Sequence, residues 1–143
     1  MSAPGRRAAG RRPGLHPPLR IWLAVALAAG WCAVASAGAY EECVTAGNQA
    51  AVMQCLAGEE KQANAELSAA EAQVAQKARA VEGATGKAGI HAALAKSVRD
   101  FSTYRTSHCA YVREMAVREP VAEQASIACR VDLTRRRARD LRP

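Results

Sequence analysis

Aromatic side chains are scarce. The 143 residues hold two tryptophans, three tyrosines and one phenylalanine. A core drawn from such a chain has few large rings, so alanine must supply much of its apolar surface. No stretch alternates β-branched or aromatic residues with polar ones, which excludes a sheet. No two cysteines stand at C-x-x-C spacing, which removes the usual structural zinc site. No glycine-rich turn surrounds a serine, so the sharp turn that presents a hydrolase nucleophile is missing. Acid is absent from Met1 to Ala39, which carries five arginines.

What is present in that acid-free stretch has an order to it. A basic run ends at Arg20, an apolar run covers Ile21 to Ala35, and small residues follow as Ala35-Ser36-Ala37 and Ala37-Gly38-Ala39. These features describe a secretory signal peptide over residues 1–39, cleaved after Ala37 or Ala39. The competing reading is an uncleaved transmembrane anchor, for which the apolar run falls short of the ~20 residues a span needs. Arg6-Arg7 and Arg11-Arg12 lack the bulky apolar pair of a twin-arginine signal. Trp31 precedes Cys32 where a lipoprotein would need a small residue. Without this segment the chain holds 15 basic against 13 acidic residues and no tryptophan, so the basic character belongs mostly to the discarded peptide. The destination is periplasmic or secreted.

Residues 40–143 form one domain with four cysteines: Cys43, Cys55, Cys109 and Cys129. An even number in a small exported domain predicts two disulfides. The local pairing is Cys43–Cys55 with Cys109–Cys129; the alternative is Cys43–Cys129 with Cys55–Cys109. After the short lead-in from Tyr40, Asn48 is suited to cap a helix. Val52, Leu56, Ala63, Leu67, Ala70, Val74, Ala78 and Val81 then recur at helical spacing. Gly83 and Gly86 interrupt it, and Thr85 is placed to cap a second helix through Ile90, Leu94, Val98, Phe101, Tyr104 or Arg105, Cys109, Val112 and Met115. Pro120 opens a third, with Val121, Ala125, Ile127 or Ala128, Val131, Thr134, Ala138 and Leu141. The expected fold is all-α: a three-helix antiparallel bundle clipped by two disulfides. If Cys109 faces Cys129, Tyr104 meets Thr134, Phe101 meets Arg137, Val98 approaches Leu141 and Val112 approaches Ile127.

Leu94, Phe101, Tyr104-Arg105, Cys109, Cys129, Thr134, Arg137 and Leu141 resemble the closing motif of the LprI-like lysozyme-inhibitor family, L…W-x-x-Y-R-x-x-x-C and C-x-x-x-x-T-x-x-R-x-x-x-L. Cys43, Met53 and Cys55 are similar to its opening motif. Phe101 replaces the usual tryptophan, Val98 an expected glutamine, and Ser68 and Glu71 an asparagine and a tyrosine. Arg118-Glu119-Pro120 replaces a glycine-rich loop. The resemblance implies a small helical envelope protein and, for some members, inhibition of lysozyme.

Catalytic, metal and cofactor chemistry find no support in the residues. Ser107 and His108 with Asp100 spell a triad, but adjacent residues on one helix diverge by about 100°. Arg135, Arg136, Arg137, Arg139 and Arg142 form a basic run suited to an anionic surface; the simpler reading is a solvated face, with Asp132 and Asp140 spaced to pair with Arg136. Export argues against nucleic acid. Tyr104, Arg105, Thr134 and Arg137 form either a polar binding patch or the register device of the hairpin, and the second is favoured because each group has a neighbour to satisfy it. The leading function is occlusion of a lysozyme cleft. Many lysozymes are basic, so the acidic candidates Glu59, Glu60 and Glu66 join Tyr104, Arg105 and Arg137 as candidate binding residues. The alternative is an adaptor of the bacterial cell envelope that binds anionic components through the arginine-rich last helix.

Overall fold

The computed structural model describes residues 38–142; residues 1–37 of the expected signal peptide lie outside them. The described residues are helical throughout and include no strand. Helix α1 is Ala39–Cys43, followed by one 3-10 turn at Val44–Ala46. Helix α2 is Gln49–Thr85, α3 is Ile90–Met115 and α4 is Val121–Asp140. The lead-in is thus itself a short helix, too brief for periodicity to reveal it.

Each boundary has a local cause. The Asn48 side chain accepts from the Ala51 amide at 3.0 Å and so starts α2. Thr85 closes α2 instead of opening α3: its hydroxyl donates to the Val81 carbonyl at 2.7 Å. Gly86 then takes the left-handed conformation, with φ 70°, that ends many helices. Gly89, with φ 93°, turns the chain into α3. The first turn of α3 has no cap from its own residues. Glu82 supplies one by accepting from the His91 amide at 3.0 Å, and that bond holds its carboxyl below the usual value of 4.5. Pro120, behind a cis peptide bond, precedes α4.

Cross-helix pairs set the directions. Arg105 on α3 reaches Asn64 on α2 and Thr134 on α4, while His91 near the start of α3 meets Arg79 near the end of α2. Helix α3 therefore runs against both neighbours, and α2 and α4 run the same way. On α2 most of the predicted stripe is buried, at Val52, Leu56, Ala63, Leu67, Ala70 and Ala78. Val74 is only half-buried and Val81 is exposed, because the stripe outruns the end of α4. Helix α4 is the central element, touching α1, α2 and α3 and burying residues around much of its circumference. Leu56 and Val131 are fully buried beside Ala39, Cys43, Val52, Ala63, Ile127 and Ala128. Each such branched side chain contributes about 1.5–3 kcal/mol.

Both local disulfides form. Cys43 and Cys55 have Cα atoms 5.7 Å apart, and Cys109 and Cys129 are 5.6 Å apart. The first staples α1 to the opening turns of α2; the second clips α3 to α4. The hairpin register departs from expectation in two places. Ile127 belongs to the cluster with Val52 and Leu56, so Val112 shares a cleft with Val121, Ala125 and Ala128 instead. Arg105, not Tyr104, faces Thr134.

Candidate functional site

The interior of the α3–α4 hairpin is polar and organised around Phe101. Arg105 donates to the Thr134 hydroxyl at 2.7 Å and to the Asn64 side-chain oxygen at 3.0 Å. Arg137 donates to the Ser97 hydroxyl at 2.7 Å. Both guanidinium carbons stand 5.7 Å from the Phe101 ring centroid, a distance at which the ring's quadrupole attracts a cation. The expected Phe101–Arg137 pair is therefore present. Thr134 is buried, so its hydroxyl needs a partner, and Arg105 is that partner. Three of the four residues singled out as a patch or a register device thus join α2, α3 and α4 from within. Tyr104 is separate.

Tyr104 lies one residue before Arg105, and that single step of about 100° carries it out of the hairpin. It is 52% exposed and begins an exposed row along α3. Its ring stacks on His108, with centroids 5.3 Å apart, and His108 meets Tyr111 at 6.4 Å. Tyr111 is 60% and Met115 63% exposed, and Val117 beyond the helix is 95% exposed. Spacings of four, three and four place all four α3 side chains on one face. Met115, expected in the apolar stripe, belongs to this outer face. Beside the row lies a cleft of about 380 Å³, lined by Val112, Val121, Ala125, Ala128 and Tyr40, with Glu41 and Asp132 at its edge. Sequence periodicity missed the row because it counts apolar residues without showing which side of a mixed stripe faces outward. Ser107, between these rings, donates to the Tyr104 carbonyl at 3.1 Å and does not meet His108 as a catalytic pair.

The glutamates of α2 and the arginines of α4 are paired with each other. Arg130 Nε donates to Glu60 at 2.6 Å. Arg135 bonds Glu42 at 2.8 Å and also Glu59. Arg142 reaches Glu66 at 3.4 Å. The Glu60 hydrogen bond holds the Arg130 guanidinium above its ordinary value against the cost of burial. Burial works against the Arg135 charge, but the bond to Glu42 and the charges of Glu42, Glu59 and Asp132 outweigh it and raise that group as well. These pairs are partly exposed, and each contributes on the order of 0.2–1 kcal/mol. Of the arginine run, Arg136, Arg137 and Arg139 make no ion pair among the described residues, and Arg137 is turned inward to Ser97. Asp132, expected beside Arg136, instead accepts from the Ala39 amide at 2.9 Å.

Among the described residues no group of histidine, cysteine or carboxylate side chains is arranged to hold a metal ion, and no helix is long and apolar enough to cross a membrane. The sequence profile of the family described as Lysozyme inhibitor LprI matches residues 41–141. No curated protein and no solved structure matched the chain.

Proposed function

The chain belongs to the lysozyme inhibitor LprI family, and from that premise we propose that it is an exported binding protein that blocks a lysozyme by covering its cleft. Family membership and two disulfides accord with an extracytoplasmic protein. The acid-free leader and its small-residue exits support export through a cleaved signal peptide over residues 1–39.

One observation supports a docking face: exposed Tyr104, Tyr111 and Met115, with half-buried His108 stacked between the rings, beside the cleft at Val112 and Val121. Tyrosine and methionine are enriched where proteins meet, because they offer large contact area with little polar cost. Rings already stacked on one another lose less freedom on binding. Occlusion needs no reaction, only a rigid surface. The hairpin is rigid here because Cys109–Cys129 and the Arg105–Thr134 bond lie beneath the row. Glu59, Glu60 and Glu66 have a structural use as partners of α4 arginines, so the binding role moves from them to α3. Tyr104 keeps its place in the binding set, while Arg105 and Arg137 support the face from inside. An envelope adaptor acting through the last helix would rely on Arg136 and Arg139.

The test is a titration of the oxidised exported protein against hen-type lysozyme, with cell-wall hydrolysis followed in parallel. Tyr104→Ala and Tyr111→Ala are each expected to weaken binding and inhibition by roughly tenfold or more, the effect of a ~1.4 kcal/mol interface anchor. Glu60→Gln should leave both within about twofold. Binding that ignores the tyrosines, or no binding at high micromolar concentration, sinks the reading. Salt-sensitive binding to anionic vesicles, lost in Arg136→Ala with Arg139→Ala, would favour the adaptor.

A further inference from the structure

The described chain begins at an unusual corner. Gly38 precedes α1 in extended conformation, and its carbonyl accepts from the Glu42 amide at 3.1 Å. Ala39 is fully buried, and its amide donates to Asp132 Oδ1. Two carboxylates from different helices occupy the space where a Gly38 side chain would stand. A Cβ built on Gly38 would stand 2.7 Å from Glu41 Oε2 and 3.1 Å from Asp132 Oδ2. Neither Glu41 nor Asp132 makes an ion pair among the described residues. Arg135, whose charge feels Asp132, is bonded to Glu42 and Glu59 instead.

Two cleavage positions are open on sequence grounds, and this corner separates them. Cleavage after Ala39 would discard a fully buried residue, the bond to Asp132 and the carbonyl that receives the Glu42 amide. Cleavage after Ala37 keeps every one of these contacts. It also turns the Gly38 nitrogen from a neutral amide into a cation on the Cα beside those carboxylates. We propose that the chain is processed between Ala37 and Gly38, and that the new α-ammonium of Gly38 forms an ion pair with Asp132 and Glu41 that locks α1 onto α4. A signal-peptidase-type endopeptidase supplies the step. Water adds across the Ala37–Gly38 amide, the C–N bond breaks, the carbonyl carbon leaves as the Ala37 carboxylate and the nitrogen as the Gly38 ammonium. The inference rests on the export reading and is independent of lysozyme. It gives processing a structural result: the leader's removal creates the charge that completes the N-terminal corner.

The experiment expresses the full chain from Met1 in an exporting bacterium and takes the intact mass and N-terminal sequence of the exported protein. The expected product starts at Gly38 and has both disulfides. That product is then treated with an amine-selective acylating reagent near neutral pH, where an unpaired α-amine, with its pKa of about 7.7–8.0, reacts ahead of lysine. The Gly38 amine should react at least tenfold more slowly in the folded protein than in urea. The protection should fall severalfold in Glu41→Gln and further in Asp132→Asn, with circular dichroism confirming that the helices persist. Should Asp132→Asn fail to fold, Glu41→Gln and the urea comparison carry the decision. A product starting at Tyr40 or elsewhere overturns the inference alone. An uncleaved product overturns it together with the export reading. A Gly38 amine that reacts equally fast folded and unfolded, or equally in the parent and Glu41→Gln proteins, also overturns it.

Discussion

At the scale of single residues, the hairpin turns on which of two neighbours faces inward. Tyr104 and Arg105 both fit the helical spacing of α3, and by hydrophobicity a tyrosine is the more natural core residue. The structure turns the arginine inward because Thr134 and Asn64 accept from its Nη1 and the Phe101 face lies against it, while its Nε stays buried without a partner. Thr134→Val tests this contact with almost no change of shape. It removes the acceptor and leaves the guanidinium with Asn64 alone, at an expected cost of about 1–3 kcal/mol in urea unfolding. A loss below about 0.5 kcal/mol would show the bond to be incidental. Phe101 against Arg137 was legible because Cys109 and Cys129 anchor the register and both residues lie whole turns away. Tyr104 was not, since neighbouring positions compete and only tertiary partners decide between them.

Helices are the scale at which the sequence was most readable. Apolar residues at steps of three, four and seven marked the buried face of α2, and Asn48 and Pro120 stood where α2 and α4 begin. Helix α1 escaped notice because five residues make little more than one turn. The cap of α3 escaped for another reason: Glu82 belongs to the preceding helix and reaches His91 only once Gly86 and Gly89 have turned the chain. Its carboxyl is held below 4.5, so the sign of its pH effect follows. A group with a depressed folded value stabilises the fold above its unfolded value and loses that contribution as pH falls through the folded one. Hydrogen exchange at the His91 amide should therefore quicken, relative to neighbouring amides, as pH drops below 4.5. Glu82→Gln should flatten that response. The site is exposed, so global stability should scarcely change.

For the molecule as a whole, two kinds of pairing matter most: the α2–α4 ion pairs, which were not apparent along the chain, and the disulfides, which were. Glu60 and Arg130 stand seventy residues apart and meet because α2 and α4 run parallel. Acidic and basic clusters that looked like opposite binding surfaces are thereby joined, which lowers the electrostatic profile of both helices. The disulfides are the other. By loop-entropy reasoning each contributes about 3 kcal/mol, against a total near 5–15 kcal/mol for a domain of this size. Reducing both should lower the thermal midpoint by well over 10 °C, and most helical dichroism should be lost at body temperature. Persistence of the full signal after verified reduction would mean that the alanine-rich core suffices alone.

Helix α2 is 37 residues long and α4 only 20, or roughly 55 Å against 30 Å. Leu141, at the end of α4, lines one cleft with Val74, Ala78, Val81 and Ile90, so what extends past α4 is a short arm, the last turn of α2 and the turn that leads into α3. The staples sit at the opposite end. Such an arm can open as a separate cooperative unit for less free energy than the whole domain requires. The molecule is thus graded along its length: a disulfide-clamped base that presents the tyrosine row, and an unstapled tip where limited proteolysis is expected to cut first.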